Sequence, residues 1–133
     1  METKIAIKIG AVFCTVGGWD KSLHALVSLM AVDYILGLML GMVGRSTKTA
    51  NGRLSSSASA FGMYKKTAML LCVYVACILD KVIGSDIIRE GVILAFCTTE
   101  MISVIENLTS FGIPIPEIFH KVLDILTKKG DKR

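Results

Sequence analysis

Four carboxylates, Asp33, Asp80, Glu100 and Glu106, stand inside stretches that are otherwise almost free of charge. An ionisable group in an apolar helix is unfavourable, so it faces water, pairs with a donor on a neighbouring helix, or caps a helix end. Asp33 is followed at four-residue steps by Gly37 and Gly41, which places the carboxylate and a Gly-x-x-x-Gly pair on one helix face. Small residues there let a second backbone approach closely, so this face reads as a helix interface. A second row, Ala68, Cys72 and Ala76, leads at the same spacing to Asp80, while Glu100, Ser103 and Asn107 share one face of a further stretch with Glu106 beside them. All these residues are candidates for lining a pore or joining helices between subunits. Their spacing also fits packing or helix capping within one chain.

Nothing among them points to catalysis. His24 and His120 are far from each other and from any cysteine in sequence, no nucleophile is spaced to a base, and no glycine-rich phosphate loop follows a strand. Cys14, Cys72, Cys77 and Cys97 lie in apolar runs without a Cys-x-x-Cys spacing, which argues for small packing residues over a zinc site or a disulfide framework. The expectation is a non-enzyme with no metal and no cofactor. The net charge of +4 does not indicate nucleic-acid binding, because the aromatic residues are not interleaved with basic ones and no basic stripe follows a helix.

The elements that position these residues are membrane helices. A chain of 133 residues that is 53% hydrophobic, with a mean hydropathy of +0.62 and two prolines, reads as one all-α integral membrane domain over 1–133. Residues 22–44 hold a single formal charge, Asp33, at their centre, and as a helix they extend about 34 Å, enough for a hydrocarbon core of about 30 Å. Ser22 is placed to cap this span, after a turn at Gly17, Gly18 and Asp20. A second span over 67–83 is near the lower limit of length, and Lys65 and Lys66 are placed to snorkel from its end to the interface. A third covers 91–108.

Residues 5–19 are amphipathic and form either a thin first span or an interfacial helix. The span is preferred because it keeps Lys4 and Lys8 on the inner side. No small-x-small cleavage pattern follows these lysines, so the segment is expected to be retained rather than removed as a signal peptide. Between the first two clear spans, 45–66 is a Ser- and Gly-rich loop with Arg45, Lys48, Arg53, Lys65 and Lys66 and no acid, the strongest cytoplasmic signal in the chain. After Gly112 and Pro114, residues 116–129 form an amphipathic helix too short to span, expected on the inner surface ahead of a basic tail. The fold class is therefore three to four transmembrane helices plus a C-terminal interfacial amphipathic helix.

Taken in order, these stretches resemble the phage lysis and toxin-secretion holin family. The resemblance rests on Gly17-Gly18-Trp19-Asp20, Met30-Ala31-Val32-Asp33-Tyr34 with Gly37, Leu54-Ser55-Ser56 leading to Gly62 and Lys65-Lys66, Asp80, Glu100 with Ser103 to Asn107, and Gly112-Ile113-Pro114-Ile115-Pro116. It covers nearly the whole chain and departs from the family pattern at Leu36, where Thr is common, and in a longer basic loop. The resemblance implies a multi-pass protein of the bacterial cytoplasmic membrane that associates with itself in the bilayer. It further implies a timed lesion that releases an endolysin or a large toxin without a specific contact to that cargo. An antiholin is a compatible partner. The alternatives that share this pattern are an antiholin regulator and a small ion channel or transporter.

With both termini cytoplasmic, a cysteine introduced at Thr3 or at Asp131 should resist a membrane-impermeant thiol reagent added from outside. Labelling at Thr3 alone would reduce the count from four spans to three.

Overall fold

The computed structural model describes the backbone of residues 1–15 and 17–131 and the side chains of 1–9 and 17–129. Cys14, in the first amphipathic segment, and the last residues of the basic tail lie outside the described side chains. The chain forms five helices and, among the described residues, no strand: α1 (Glu2–Thr15), α2 (Lys21–Met42), α3 (Ser56–Ile83), α4 (Ile87–Ser110) and α5 (Glu117–Asp131).

Helices α2, α3 and α4 run up, down and up, and α4 is the central element, packing on α2, α3 and α5 while α2 and α3 touch only slightly. Buried positions recur at steps of three and four. They are Leu23, Leu26, Met30 and Asp33 in α2, Met69, Val73, Ala76 and Asp80 in α3, and Arg89, Ile93, Cys97 and Glu100 in α4. Their apolar members form the core. Outward, Ile35, Met39, Leu71, Val75, Ile78 and Ile102 are exposed. Helices α2 and α4 are long and apolar enough to cross a membrane, and only 28% of the most apolar stretch of each is buried. A core helix of a soluble protein would bury most of that surface.

Several boundaries differ from the sequence expectation, each for a local reason. Helix α3 begins at Ser56, so the expected loop 45–66 is shorter and Lys65 and Lys66 lie inside a helix. Ser55 is extended, and its hydroxyl accepts the Ala58 amide at 3.4 Å, a cap that lets the Ser/Ala run continue as helix without a breaker. Gly62 within that run is accommodated against the Tyr34 ring, 3.6 Å from where a β-carbon would stand. In α2 the cap is Asp20 rather than Ser22: its carboxylate accepts the Leu23 amide at 2.9 Å, and Ser22 instead donates to Glu90 at 3.0 Å. Helix α4 starts at Ile87 rather than at Gly91. The Asp80 carboxylate reaches across from α3 to accept the amides of Ile88 at 3.0 Å and Arg89 at 2.8 Å.

Helix α5 doubles back along α4, with Val122 and Leu126 sharing a cavity with Leu29, Cys97 and Met101. The described side chains at the start of α1 are all exposed.

The segment between α2 and α3 is an ordered strap. Leu54 donates its amide to the Gly41 carbonyl at 2.9 Å, Arg45 to that of Leu40 at 2.8 Å, and Ser46 to that of Gly52 at 2.9 Å. Gly52 has φ +72°, and a β-carbon there would run into the Gly44 carbonyl. The strap covers the Gly37 and Gly41 face expected to meet another helix: a β-carbon on Gly41 would stand 3.0 Å from the Leu54 Cα. Gly41→Leu should therefore displace the strap and quicken tryptic cleavage at Arg53 about tenfold, because overpacking of roughly 1 to 3 kcal/mol falls on this contact. Limited proteolysis in detergent reads this, and unchanged cleavage would show that the strap does not hold the α2 end.

Candidate functional site

Polar side chains from α2, α3 and α4 meet around Asp33. Asp33 is about 18 Å from the start of α2 and about 14 Å from its end, at about 1.5 Å per residue. Lys66 enters from α3, and its Nζ donates to Asp33 Oδ2 at 2.7 Å and to Glu100 Oε2 of α4 at 2.8 Å. Asn107, two turns beyond Glu100, donates its side-chain amide to Asp33 Oδ1 at 2.8 Å and to the Asp33 carbonyl at 3.3 Å. The side chains of Asp33 and Glu100 are 4% and 3% exposed and that of Lys66 14%, so the ammonium lies between two buried carboxylates. With both carboxylates ionised the cluster carries one net negative charge. Among the described residues, no fully buried side-chain nitrogen or oxygen lacks a partner.

A second polar knot closes the opposite end of the bundle. Arg89 Nη1 donates to Asp20 Oδ2 at 2.8 Å, and Nη2 donates to the Gly18 carbonyl at 3.1 Å. Its own backbone amide is held by Asp80. The turn before α2, the end of α3 and the start of α4 are thus joined through one residue, Arg89, by its guanidinium to the turn and by its backbone amide to α3. The Arg89 hydrogen bond is the main cause holding the Asp20 carboxyl below its usual range, and the Leu23 amide adds to it.

The candidates from the sequence divide clearly. Asp33, Glu100 and Asn107 come together, Asp80 caps α4 in the other knot, and Gly37 and Gly41 lie under the strap. Ser103 is half-buried on the α4 stripe and Glu106 is exposed on another face of that helix. The Ala68, Cys72, Ala76 row splits, with Ala68 and Cys72 exposed and Ala76 buried, because four-residue steps drift around a helix of 3.6 residues per turn. Lys66, Arg89 and Asp20 were not among the candidates; Lys66 was expected to snorkel outward and Asp20 to lie in the turn before α2. The signal for Lys66 was helical phase: Met69, Val73, Ala76 and Asp80 continue its face, and Lys65 does not.

No catalytic pair forms in either cluster, and among the described residues no group of His, Cys, Asp or Glu is placed to hold a metal. What the geometry provides is a hydrogen-bonded set of charged and polar groups inside a bundle whose outer faces are largely apolar. A model described as the bacteriophage holin family matches residues 10–128. The chain belongs to that family. Among its relatives, an uncharacterized protein of Listeria innocua is 31% identical over 97% of this chain and 93% of its own length. One of Clostridium perfringens strain 13 is 29% identical over 96% and 95%. A protein named probable holin, from Bacillus phage phi105, is 25% identical over 87% of this chain and 82% of its own. No solved structure matches the chain. Holin-family membership and the exposed apolar faces of α2 and α4 make it a membrane protein.

Truncating Lys66 should be severe, because Lys66→Met leaves two carboxylates buried without a counter-charge, at about 3 to 5 kcal/mol of stability. The triple variant Asp33→Asn, Lys66→Met, Glu100→Gln should recover most of that loss. Thermal unfolding in detergent compares the two, and an undamaged single variant would mean that the cluster is wetted rather than buried.

Proposed function

We propose that this chain is a non-enzymatic holin that collects into homo-oligomers in the bacterial cytoplasmic membrane and opens a timed lesion there, releasing an endolysin or a large toxin. The observation that carries this reading is the Lys66 cluster, charged and enclosed within a single subunit whose outer faces are apolar. Family membership supports it.

As a monomer the protein presents hydrocarbon-compatible surface to lipid and keeps its charges paired, so it accumulates without leak. When copies gather, helix contacts between subunits replace lipid contacts, and separation of α3 from α2 and α4 lets water reach Asp33, Lys66 and Glu100. Rehydration of those groups offsets the lost ion pairs, so the opened arrangement gains a wettable wall. Two arrangements separated by an unfavourable intermediate, in which the charges are unpaired but still dry, give an abrupt transition after a delay.

Expression in a bacterial host tests this directly. A holin halts growth abruptly after a lag and lets a co-expressed endolysin reach the wall. Gradual, solute-dependent effects without protein release would instead indicate a channel or transporter, and delay of another holin's lysis would indicate an antiholin. Asp33→Asn keeps the shape of the cluster but removes one charge. It should leave crosslinked oligomers in place and shift the time of lysis, followed by optical density and by crosslinking in membranes.

A further inference from the structure

Helix α5 is held loosely where it lies. Its apolar side chains form one stripe, yet Ile118, Phe119, Val122 and Ile125 all remain exposed, and Leu123 and Leu126 are only half-buried. Beneath it a cavity of about 300 Å³ separates α5 from α2 and α4, walled by Ala25, Leu29, Leu94, Cys97, Met101 and Leu126 among others. Side chains facing that space forgo the packing contacts that a well-seated helix would supply.

The seat also conflicts with lipid. Val122 and Leu126 lie beside the stretch of α4 from Glu90 to Met101, which begins about 14 Å inside the Ser110 end of that helix, at about 1.5 Å per residue. With α4 across a bilayer, the docked α5 would hold Asp124, Lys128 and Lys129 in the hydrocarbon layer, because all three are exposed. On the membrane surface the same helix meets both demands: its apolar stripe enters the acyl boundary, and its charged side stays in water. The connection permits the move. Gly112 has φ +80°, and Pro114 and Pro116 have no amide hydrogen with which to tie the segment to either helix.

We propose that α5 is a removable cover: in the bilayer it swings about residues 112–116 onto the membrane surface, and a helix of a second copy takes its place in the α2–α4 groove. The groove already seats a helix, and α3, the other neighbour of α4, contributes no residue to its wall. Ala25 is exposed at its rim, where a small side chain lets an incoming backbone approach closely. While α5 covers this face, copies cannot join through it, so association waits until the chain is in the membrane. The second copy as occupant rests on the self-association proposed above; the movement of α5 rests only on the membrane reading of α4.

Two measurements on the full chain in bacterial membranes test this. In membrane vesicles opened by freezing and thawing, Asp124→Cys should react with a membrane-impermeant maleimide as fast as Lys48→Cys on the strap. It should react about tenfold faster than Val75→Cys on the outer face of α3, since the rate follows access of water and reagent to the thiol. The unsubstituted chain sets the background from the native cysteines. A rate as slow as that of Val75→Cys would overturn the proposal by showing α5 docked in lipid. Photoreactive benzoylphenylalanine incorporated at Leu94 should then crosslink to a second copy, read by gel mobility and mass spectrometry. Adducts confined to lipid, or to α5 of the same chain, would overturn the second-copy assignment. If the Leu94 variant fails to insert, the same group at Ala25, on the exposed rim, makes the same test. Both expected results in cells that never lyse would count against the lesion and uphold the removable cover.

Discussion

The Lys66 ammonium, held 2.7 Å from Asp33 and 2.8 Å from Glu100, is the constraint on which the rest of the bundle depends. Two carboxylates from different helices repel across a dry interior, and only a cation between them lets α2 and α4 approach. That demand fixes the rotation of α3, because a step of one residue would carry Lys66 about 100° around the helix and leave both acids unmatched. Apolar contacts tolerate sliding and repacking, whereas a paired charge in a low dielectric does not. The cluster thus sets register more than it adds net stability, as a buried polar residue does in a coiled coil.

Cohesion comes from the way the two polar anchors bracket the apolar core. Between the Lys66 cluster and the Arg89 knot lie Leu23, Leu26, Met30, Met69, Val73, Ile93 and Cys97. In lipid, these residues gain little from mutual burial compared with contact to acyl chains, so hydrogen bonds at both ends and close packing must hold the helices. Helix α4 carries most of that work, since it supplies Glu100 and Asn107 to one anchor and Arg89 to the other. The seam between α2 and α3 has no comparable direct packing, and the strap closes it from one end.

On the proposed reading, this uneven packing has a functional consequence. A bundle of uniform strength would open anywhere or nowhere, whereas here the α2–α3 seam is the weakest contact and lies beside the charged cluster. Separation along it exposes polar groups to water while the Arg89 knot keeps the far ends together. The exposed apolar faces of α2 and α3 remain outward throughout, so lipid or a second copy meets the same kind of surface in either arrangement.

Much of this protein was legible in its residues. The all-helical class, the apolar helix centred on Asp33, the break at Gly112 and Pro114 and the amphipathic last helix follow from periodicity, composition and backbone chemistry, all of which are local. Three members of the central cluster, Asp33, Glu100 and Asn107, stood out because a carboxylate or amide in an apolar run must be answered by something. What answered them was a tertiary matter. Lys66 sat beside Lys65 at the edge of a serine-rich segment, where sequence favoured solvent, and only a helix extended back to Ser56 brought its phase onto the face of Met69, Val73 and Asp80. The strap over Gly37 and Gly41 was equally hidden, since a glycine row specifies close approach but not which backbone approaches. Spacing along a chain determines which residues share a face; the partner of that face depends on how helices distant in sequence are brought together, and that was decided by the pairing of charges across three of them.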